Sequence, residues 1–478
     1  MLKALIIGAD AVCPEYIFEH PERYPHLHQL IKRGASASYS AYVQKGYRDS
    51  YLSEMNWSSI YTGLAPWEHG IAQKDSNGIR KATSMEQFDG LNPFWQILNE
   101  NGVSVGLWSA MCCEKPVKID GYAVSVQHTP LEIPDPVRVV KRTLQVNDKD
   151  QWVLNLISEE IPQRKYPLTL AQQGYTFQQL KQDPDLAWKA VEQYHFQDAL
   201  ENFKKELDFF FKAITDVQHT NPVDVLYFYT PSTDLIVHCC MYCDDCDVLI
   251  KAYQLLDEYV GKLMTVLEPE HVIVLSDHGM CNFKDLVQCS DEQIRREAFA
   301  ARDEVLWLKN RYIAFEAHNG ALLFTAHAMK GLFIAAGPEI RHTTVEEMRT
   351  LDIYPTILEL LKLRIPDGRE GYVQNIFSRP VLNHGYLWNH EAVQYRHAAL
   401  LQCWSPSITD IVLNELYIRN RFTKFTVVGE EKYREIFLHN PRVEGFVSYK
   451  EFRANQFDAV FCGLYYETTG LTGHLQIC

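Results

Sequence analysis

Residues 272–280 read Val-Ile-Val-Leu-Ser-Asp-His-Gly-Met, an apolar run that ends in adjacent Asp277 and His278 followed by a glycine. Short apolar runs bounded by turn residues are typical of buried strands. Three more runs have this form: residues 2–8 before Asp10, residues 223–229 before Asp234, and residues 332–336 before Gly337. We expect all four to be buried parallel strands, because strands covered on both faces read as continuous apolar segments.

Helical segments lie between these strands. Residues 26–33 have a helical pattern that stops at Gly34, and residues 352–363 stop before Pro366. This alternation predicts an α/β fold with a mostly parallel sheet and helices on both faces. Ligands of such sheets bind at the carboxyl ends of the strands, where three of the four runs place an aspartate.

The rest of the chain suggests additions to this core. Residues 134–221 have helical patterning, strongest at 186–214, and we expect a mainly helical insertion that caps the site. After residue 373, strand-like runs at 425–428 and 458–462 indicate a small C-terminal α/β region. The predicted organisation is a core in two parts, a cap and an extension, with the bounds 1–133, 134–221, 222–375 and 376–478.

Composition excludes several classes of protein. The 478 residues are 46% hydrophobic and carry a formal net charge of −15, which argues against a surface for a nucleic-acid polymer. No run approaches the roughly 18 apolar residues of a membrane-spanning helix, and no membrane association is expected. The 12 cysteines include the adjacent pair Cys112-Cys113, and no export signal is recognised at residues 1–8. We therefore expect reduced thiols and a cytoplasmic location.

Carboxylate and imidazole side chains accompany the strand ends. Asp234 and His238 are spaced to share one face of a helical turn, Asp277 and His278 are adjacent, and His327 precedes the run at 332–336. Each of these, like Asp10, has a simpler explanation when taken alone, as a helix cap or a packed histidine. Their occurrence together, each beside a predicted strand end, favours a divalent metal site.

These elements carry a resemblance to a known family. The matching strings are Ile6-Ile-Gly-Ala-Asp10, Ser53-Glu-Met-Asn-Trp-Ser-Ser-Ile-Tyr-Thr-Gly-Leu-Ala-Pro-Trp-Glu-His-Gly-Ile71, Asp234 to His238, Ser276-Asp-His-Gly279, His327 to Gly331, and Asp352-Ile-Tyr-Pro-Thr-Ile-Leu358. Over about residues 1–375 the chain resembles the type I phosphodiesterase/nucleotide pyrophosphatase family of the alkaline phosphatase superfamily. The resemblance implies an alkaline-phosphatase-like sheet and hydrolysis of phosphodiester or pyrophosphate bonds in a small phosphorylated substrate.

The resemblance also implies two divalent metal ions, for which mixed Asp and His ligands suit zinc best, with manganese and iron as alternatives. One ion would be held by Asp234, His238 and His327. The other would be held by Asp10, Asp277, His278 and the nucleophile.

The nucleophile implied by the resemblance is Ser53. The family usually has a threonine there, with proline and asparagine two and three residues later, and this chain has Met55 and Asn56. Serine keeps the hydroxyl, and Asn56 is the implied donor to a phosphoryl oxygen. Ser50, Ser58 and Ser59 remain alternative nucleophiles.

The implied reaction passes through a phospho-serine, which water then hydrolyses. A phosphomonoesterase or phosphonate hydrolase of the same superfamily is an alternative, because these enzymes share the metal site. A metal-binding pseudoenzyme that recognises a phosphorylated ligand or partner is a second alternative. Sulfatases are disfavoured, because none of the 12 cysteines lies in a Cys-x-Pro-x-Arg string. The sequence does not indicate an oligomeric state.

Overall fold

The structure is a computed structural model of the chain. It describes residues 2–41, 52–71, 74–75, 78–79, 84–130, 137–148, 150–157, 161–162, 164–167, 196–234, 247–282, 304–308, 311–316, 321–323, 325–328, 330–383, 398–402, 424–453, 456–457 and 459–461, with single positions at 179, 182–183, 236, 409 and 413. Contacts divide the chain into unit 1, which comprises 1–41, 48–288 and 302–387, and unit 2, which comprises 42–47, 289–301 and 388–478.

Strands are numbered in chain order. They are β1 (Ala4–Ala9), β2 (Ala35–Ser40), β3 (Lys74–Asp75), β4 (Gly78–Ile79), β5 (Val105–Trp108), β6 (Gly121–Pro130), β7 (Val137–Val146), β8 (Arg164–Pro167), β9 (Val225–Thr230), β10 (His271–Leu275), β11 (Gly279–Asn282), β12 (Glu304–Leu308), β13 (Arg311–Glu316), β14 (Ala321–Leu323), β15 (Thr325–Ala328), β16 (Lys330–Ala336), β17 (Thr343–Val345), β18 (Ala398–Leu401), β19 (Phe425–Gly429), β20 (Val443–Ser448) and β21 (Ala459–Phe461).

Helices are numbered in the same way. They are α1 (Pro14–Glu19), α2 (Pro25–Arg33), α3 (Leu52–Thr62), α4 (Pro66–His69), α5 (Phe94–Glu100), α6 (Gln151–Leu156), α7 (Phe196–Thr220), α8 (Asp247–Leu267), α9 (Thr350–Leu360) and α10 (Arg434–Leu438), with short 3-10 turns at Met85–Phe88 and Glu431–Tyr433. Among the described residues, no helix combines the length and the apolar character needed to cross a membrane.

A ten-stranded sheet organises unit 1, in the order β17-β2-β16-β10-β1-β9-β5-β6-β7-β8. Its five central strands, from β10 to β6, are mutually parallel. Every residue of β1, β9 and β10 is buried, as expected for strands covered on both faces. The α/β class and the mostly parallel sheet are therefore confirmed.

Helices cover both faces of this sheet. On one face, Leu226 and Phe228 of β9 belong to a buried cluster with residues of α2, α7 and α8. On the other face, Tyr227 of β9 lies 5.7 Å, between ring centroids, from Tyr61 of α3. Alternate side chains of one strand thus enter two separate cores.

The strand at 332–336 exists, but the prediction that it is parallel is wrong. It forms most of β16, which runs antiparallel to β10 with Val272 opposite Ala336 and Leu275 opposite Phe333. The reason lies in the preceding strand, β15, which pairs with β11, directly after β10. The chain therefore enters β16 from the carboxyl edge of the parallel strands and must run back.

The segment 134–221 contains both strands and helices. Its described residues include β7 and β8, which extend the central sheet through antiparallel pairs, and the helices α6 and α7. The expectation of a mainly helical cap stays a prediction. Helix α7 places Phe203, Phe210 and Ile214 in the buried cluster that contains Phe228. These residues continue the core. The domain boundaries stay predictions.

Unit 2 contains a separate four-stranded sheet of order β20-β19-β18-β21. All its pairs are parallel, and α10 lies between β19 and β20 in the chain. The expected strands at 425–428 and 458–462 correspond to β19 and β21. The small C-terminal α/β region is therefore present.

A glycine ends α3 where it meets α9. Gly63 has a φ of 65°, and a Cβ on it would lie 2.6 Å from Cδ1 of Tyr354 in α9. Gly70, at the end of α4, has the same φ, but a Cβ there would have no neighbour within 4 Å. A side chain at Gly63 would therefore meet both backbone strain and a steric conflict, whereas one at Gly70 would meet backbone strain alone.

We expect Gly63→Ala to lower the free energy of unfolding by about 2–4 kcal/mol, because left-handed strain adds to overpacking against Tyr354. Gly70→Ala is the matched control and should cost only about 1 kcal/mol. Denaturant titration of both variants tests this. Equal losses would contradict the contact between α3 and α9.

Candidate active site

The carboxyl ends of β1 and β10 bring Asp10, Asp277 and His278 together. All three are buried, and one ligand atom from each lies within 4.8 Å of the others. Nε2 of His278 is 3.3 Å from Oδ2 of Asp277 and 3.6 Å from Oδ1 of Asp10. Two carboxylates and an imidazole at this spacing form a donor set suited to a divalent cation.

A backbone contact orients His278. Its Nδ1 lies 3.0 Å from the carbonyl oxygen of Gly279, so this nitrogen carries the proton and donates. The other nitrogen, Nε2, therefore faces the carboxylates with its lone pair. A hydrogen bond of this kind is the usual partner of a metal-binding histidine.

Two aromatic side chains hold one oxygen of Asp10. The Tyr229 hydroxyl donates to Oδ2 at 2.5 Å, and Nε1 of Trp57 donates to the same oxygen at 3.3 Å. Oδ1 faces His278 and Ser53 instead. The two oxygens thus have different neighbours, and Oδ1 is the one directed into the donor set.

The electrostatics of this group call for a cation. Burial raises the pKa of Asp10 well above its usual range, and the nearby carboxylates of Asp277 and Asp234 raise it further. The Tyr229 hydrogen bond opposes that rise only in part. Buried carboxylates in close proximity are costly unless positive charge compensates them, and such groups concentrate at functional sites.

Ser53 lies in the first turn of α3, beside this donor set. Its Oγ is 3.0 Å from Nε2 of His278 and donates to Oδ1 of Asp10 at 3.3 Å. The first amides of a helix have no partners within the helix, and the positive end of the dipole favours anions there. A hydroxyl, a cation site and a helix N-terminus therefore meet at one place.

The alternative serines differ from Ser53. Ser58 and Ser59 are fully buried, and Oγ of Ser59 lies 3.1 Å from Nε2 of His69. Ser50 lies outside the described residues. Among the described serines of this segment, Ser53 is the one in contact with the donor set.

Asn56 lies one turn after Ser53 on α3 and is buried. Its Oδ1 accepts a hydrogen bond from the hydroxyl of Thr350, at 3.4 Å. This bond from the start of α9 orients the amide of Asn56.

The second predicted ion site is described only in part. Asp234 follows β9, is partly buried, and acts electrostatically on Asp10. The backbone of His327 lies in β15 opposite Met280, two residues after His278. His238 lies outside the described residues. The structure thus brings Asp234 and the His327 backbone to the edge that carries the first donor set.

Comparison with protein families identifies the family of the chain. The family model described as type I phosphodiesterase/nucleotide pyrophosphatase matches residues 4–366. The chain belongs to the type I phosphodiesterase/nucleotide pyrophosphatase family. It is accordingly a metal-dependent hydrolase of the alkaline phosphatase superfamily that acts on small nucleotide or phosphodiester substrates.

Solved structures give more distant matches. Murine ectonucleotide pyrophosphatase/phosphodiesterase 5 is 17% identical, with 79% of this chain and 100% of that chain covered and a TM-score of 0.45. Its inactive threonine-to-alanine variant in complex with AMP has a TM-score of 0.44, and the human protein has 0.43, at the same identity and coverage. No curated protein sequence matches the chain.

Another string that matches the phosphodiesterase family is structural in this chain. Asp352 is fully buried and accepts hydrogen bonds from Nη2 of Arg349 at 2.8 Å, from the backbone of Tyr372 at 2.8 Å and from Nε2 of Gln374 at 3.0 Å. This buried cluster fixes the start of α9, which in turn contacts Asn56.

Tyr229 and Trp57 were not among the predicted site residues. A usable signal was present for Tyr229, because Tyr227 and Tyr229 alternate within a strand that is otherwise largely apolar. Buried tyrosine hydroxyls require hydrogen-bond partners, and a strand that ends beside Asp234 offers carboxylates. Trp57 gave no comparable signal in the sequence, because a tryptophan within a helix usually packs in the hydrophobic core.

His69, from the family string, is a buried structural histidine. Its Nδ1 accepts a hydrogen bond from the backbone of Ile71 at 3.0 Å, so Nε2 carries the proton and donates to Ser59. Burial lowers the pKa of His69 to about 3. His69 is therefore neutral in the folded protein at neutral pH.

This low pKa makes stability depend on pH. The folded pKa lies below the unfolded value of about 6.5, so the contribution is present above about pH 6.5 and is lost as the pH falls toward 3. Between pH 7 and pH 5 we expect a loss of about 2 kcal/mol from this residue. His69→Gln, which cannot titrate, should lose about 2 kcal/mol less over that interval in denaturant titrations. Parallel losses in both proteins would contradict the assignment.

Proposed function

We propose that the chain cleaves phosphodiester or pyrophosphate bonds with Ser53 as the nucleophile, through a phospho-serine intermediate at a two-metal site. The observation that carries the proposal is the position of the Ser53 hydroxyl, 3.0 Å from Nε2 of His278 and 3.3 Å from Oδ1 of Asp10. A hydroxyl in contact with a buried acidic donor set is placed for activation by a cation.

The residues fit divalent ions. One ion would be held by Asp10, Asp277, His278 and Ser53, and a second by Asp234, His238 and His327. Buried carboxylates with raised proton affinity, together with an imidazole whose lone pair faces them, match zinc better than magnesium, with manganese or iron as alternatives. When bound, such ions lower the pKa of a coordinated hydroxyl and neutralise charge on phosphoryl oxygens.

The chain's own residues supply position and charge. Oγ of Ser53 forms a bond to phosphorus while the bond to the leaving oxygen breaks, and water later displaces the serine oxygen. Two in-line displacements give net retention at phosphorus. The first amides of α3 face the phosphoryl oxygens, and the amide of Asn56 donates to one of them as negative charge increases.

We also propose a reducing compartment, the cytoplasm, for this protein. The support is that Cys13, Cys112 and Cys113 are free and buried among the described residues. Burial raises the pKa of Cys13 to about 12, so its thiol stays protonated. Unpaired buried thiols are usual in such compartments.

Replacement of the nucleophile tests the mechanism. With zinc or manganese added, we expect faster hydrolysis of bis-p-nitrophenyl phosphate than of p-nitrophenyl phosphate, and a loss of roughly 1,000-fold or more in Ser53→Ala. Ser59→Ala, on the same helix but bonded to His69, should keep most of the activity. Turnover that survives in Ser53→Ala excludes this nucleophile, and a faster monoester reaction favours a phosphomonoesterase. No turnover of either ester with metal bound favours the pseudoenzyme.

Metal removal provides a separate test. Dialysis against a chelator should abolish hydrolysis, and titration with zinc should restore it at two equivalents per chain. Asp10→Asn should lose one equivalent, because Asp10 belongs to one donor set only. The matched control is Asp224→Asn, which changes an aspartate beside the amino end of β9 and should keep both equivalents. Recovery with a single equivalent would contradict the two-metal arrangement.

A further inference from the structure

A buried ion pair lies outside the residues of the candidate active site. Nη1 of Arg142, on β7, is 2.9 Å from Oε2 of Glu206, on α7, and both side chains are only 2% exposed. Nη2 of Arg142 donates to Oε1 of Glu206 at 3.3 Å. The guanidinium carbon also lies 5.9 Å from the ring centroid of Phe210, one turn along α7 from Glu206.

Stability alone does not account for this pair. Removing two charges from water costs several kcal/mol per ion, and well-packed apolar residues of similar volume often do as well or better. Phe203, Leu207 and Phe210, which are close to Glu206 along α7, belong to the main buried apolar cluster. An apolar pair at 142 and 206 would suit this environment. The charges therefore point to a geometric role.

Glu206 has a third contact, to the turn that follows β9. The hydroxyl of Ser232, which is 3% exposed, donates to Oε2 of Glu206 at 2.6 Å. Ser232 comes two residues before Asp234, the predicted metal ligand. The hydrogen bond from Ser232 thus connects the ion pair to the turn that carries Asp234.

The same turn is held from its other side. The hydroxyl of Thr233 donates to the backbone oxygen of Asp10 at 2.6 Å, and the backbone of Ser232 donates to Oγ1 of Thr230 at 3.3 Å. Thr233 therefore ties the turn to one donor set, and Ser232 ties it to Glu206. Asp234 is the next residue after Ser232 and Thr233, so these two contacts determine the position of its backbone and therefore of its carboxylate.

We propose that Glu206, held in place by Arg142, is a positioning residue for the metal ligand Asp234 and acts through Ser232. The proposal rests on the proposed function, since it assumes that Asp234 binds an ion. It assigns a role to β7 and α7, which belong to the segment predicted to cap the site. Hydrogen-bonded groups behind metal ligands commonly change metal affinity by about 10- to 100-fold when removed.

The test measures metal affinity rather than turnover. Zinc is titrated against a chromophoric chelator, and cobalt(II) absorption spectra report ligand geometry, in the full chain. Ser232→Ala, which leaves the ion pair intact, should weaken one of the two ions by about 10- to 100-fold and change its cobalt spectrum. Asp234→Asn identifies that ion, because the same one should be lost.

A matched control separates position from general stability. Ser104→Ala removes another hydrogen bond from serine to carboxylate, to Oδ2 of Asp224 at 3.1 Å, but at the amino end of β9. It should leave both affinities unchanged. The double variant Arg142→Met with Glu206→Leu keeps the volume without charge, and we expect it to fold with the same weakened ion as Ser232→Ala.

The outcomes are distinct. Wild-type affinities in Ser232→Ala, or equal losses in Ser104→Ala, overturn the positioning role while the two-metal proposal stands. A wild-type chain that binds fewer than two ions overturns the two-metal proposal and this one with it. Wild-type affinities in a folded double variant also overturn the role of the ion pair.

Discussion

Two carboxylates buried side by side, Asp10 and Asp277, set the constraint on which the site depends. In water such groups ionise independently, but burial and mutual repulsion raise the pKa of Asp10 well above its usual range. Two kinds of compensation are visible among the described residues. Tyr229 and Trp57 donate to one oxygen of Asp10, and the backbone of Ala11 donates to Asp277 at 3.3 Å. The lone pair on Nε2 of His278 supplies no positive charge. A divalent cation, as used by this metal-dependent family, would compensate the rest.

The topology places the predicted metal ligands at one edge of the sheet, although some follow a strand in the chain and one precedes a strand. Asp10, Asp234 and Asp277 follow parallel strands, so they reach the carboxyl edge by the rule that governs ligand sites in such sheets. His327 precedes a strand, and would lie at the opposite edge if β16 were parallel. Because β16 is antiparallel to β10, a residue before it reaches the same edge as residues after the others. The direction of one strand thus brings a fourth segment to the site.

Parts of this arrangement were predictable from local sequence. The runs ending at Asp10, Asp234 and Asp277 gave correct strands and the correct edge, since apolar length and a polar terminus are local properties. The direction of β16 was not predictable, because it depends on the pairing of β15 with β11. The strands β7 and β8 were missed for a similar reason, because each forms by pairing with another strand and its own sequence does not specify that pairing. Tyr229 left a signal in its alternation with Tyr227, whereas Trp57 and Glu206 left none, because their partners are distant in the chain.

Backbone strain also occurs at the same edge. Ala11, immediately after Asp10, has a φ of 56°, and Ser109 and Cys112, in the segment after β5, have φ values of 57° and 62°. A left-handed conformation costs a residue other than glycine roughly 1–2 kcal/mol. At Ala11 this conformation directs the backbone amide to Asp277. The strained conformation therefore provides the hydrogen bond that compensates the charge of Asp277. If β1 continued as a regular strand, the amide of Ala11 would form a hydrogen bond with a neighbouring strand instead. The left-handed conformation of Ala11 therefore provides the buried carboxylate of Asp277 with a backbone hydrogen-bond donor.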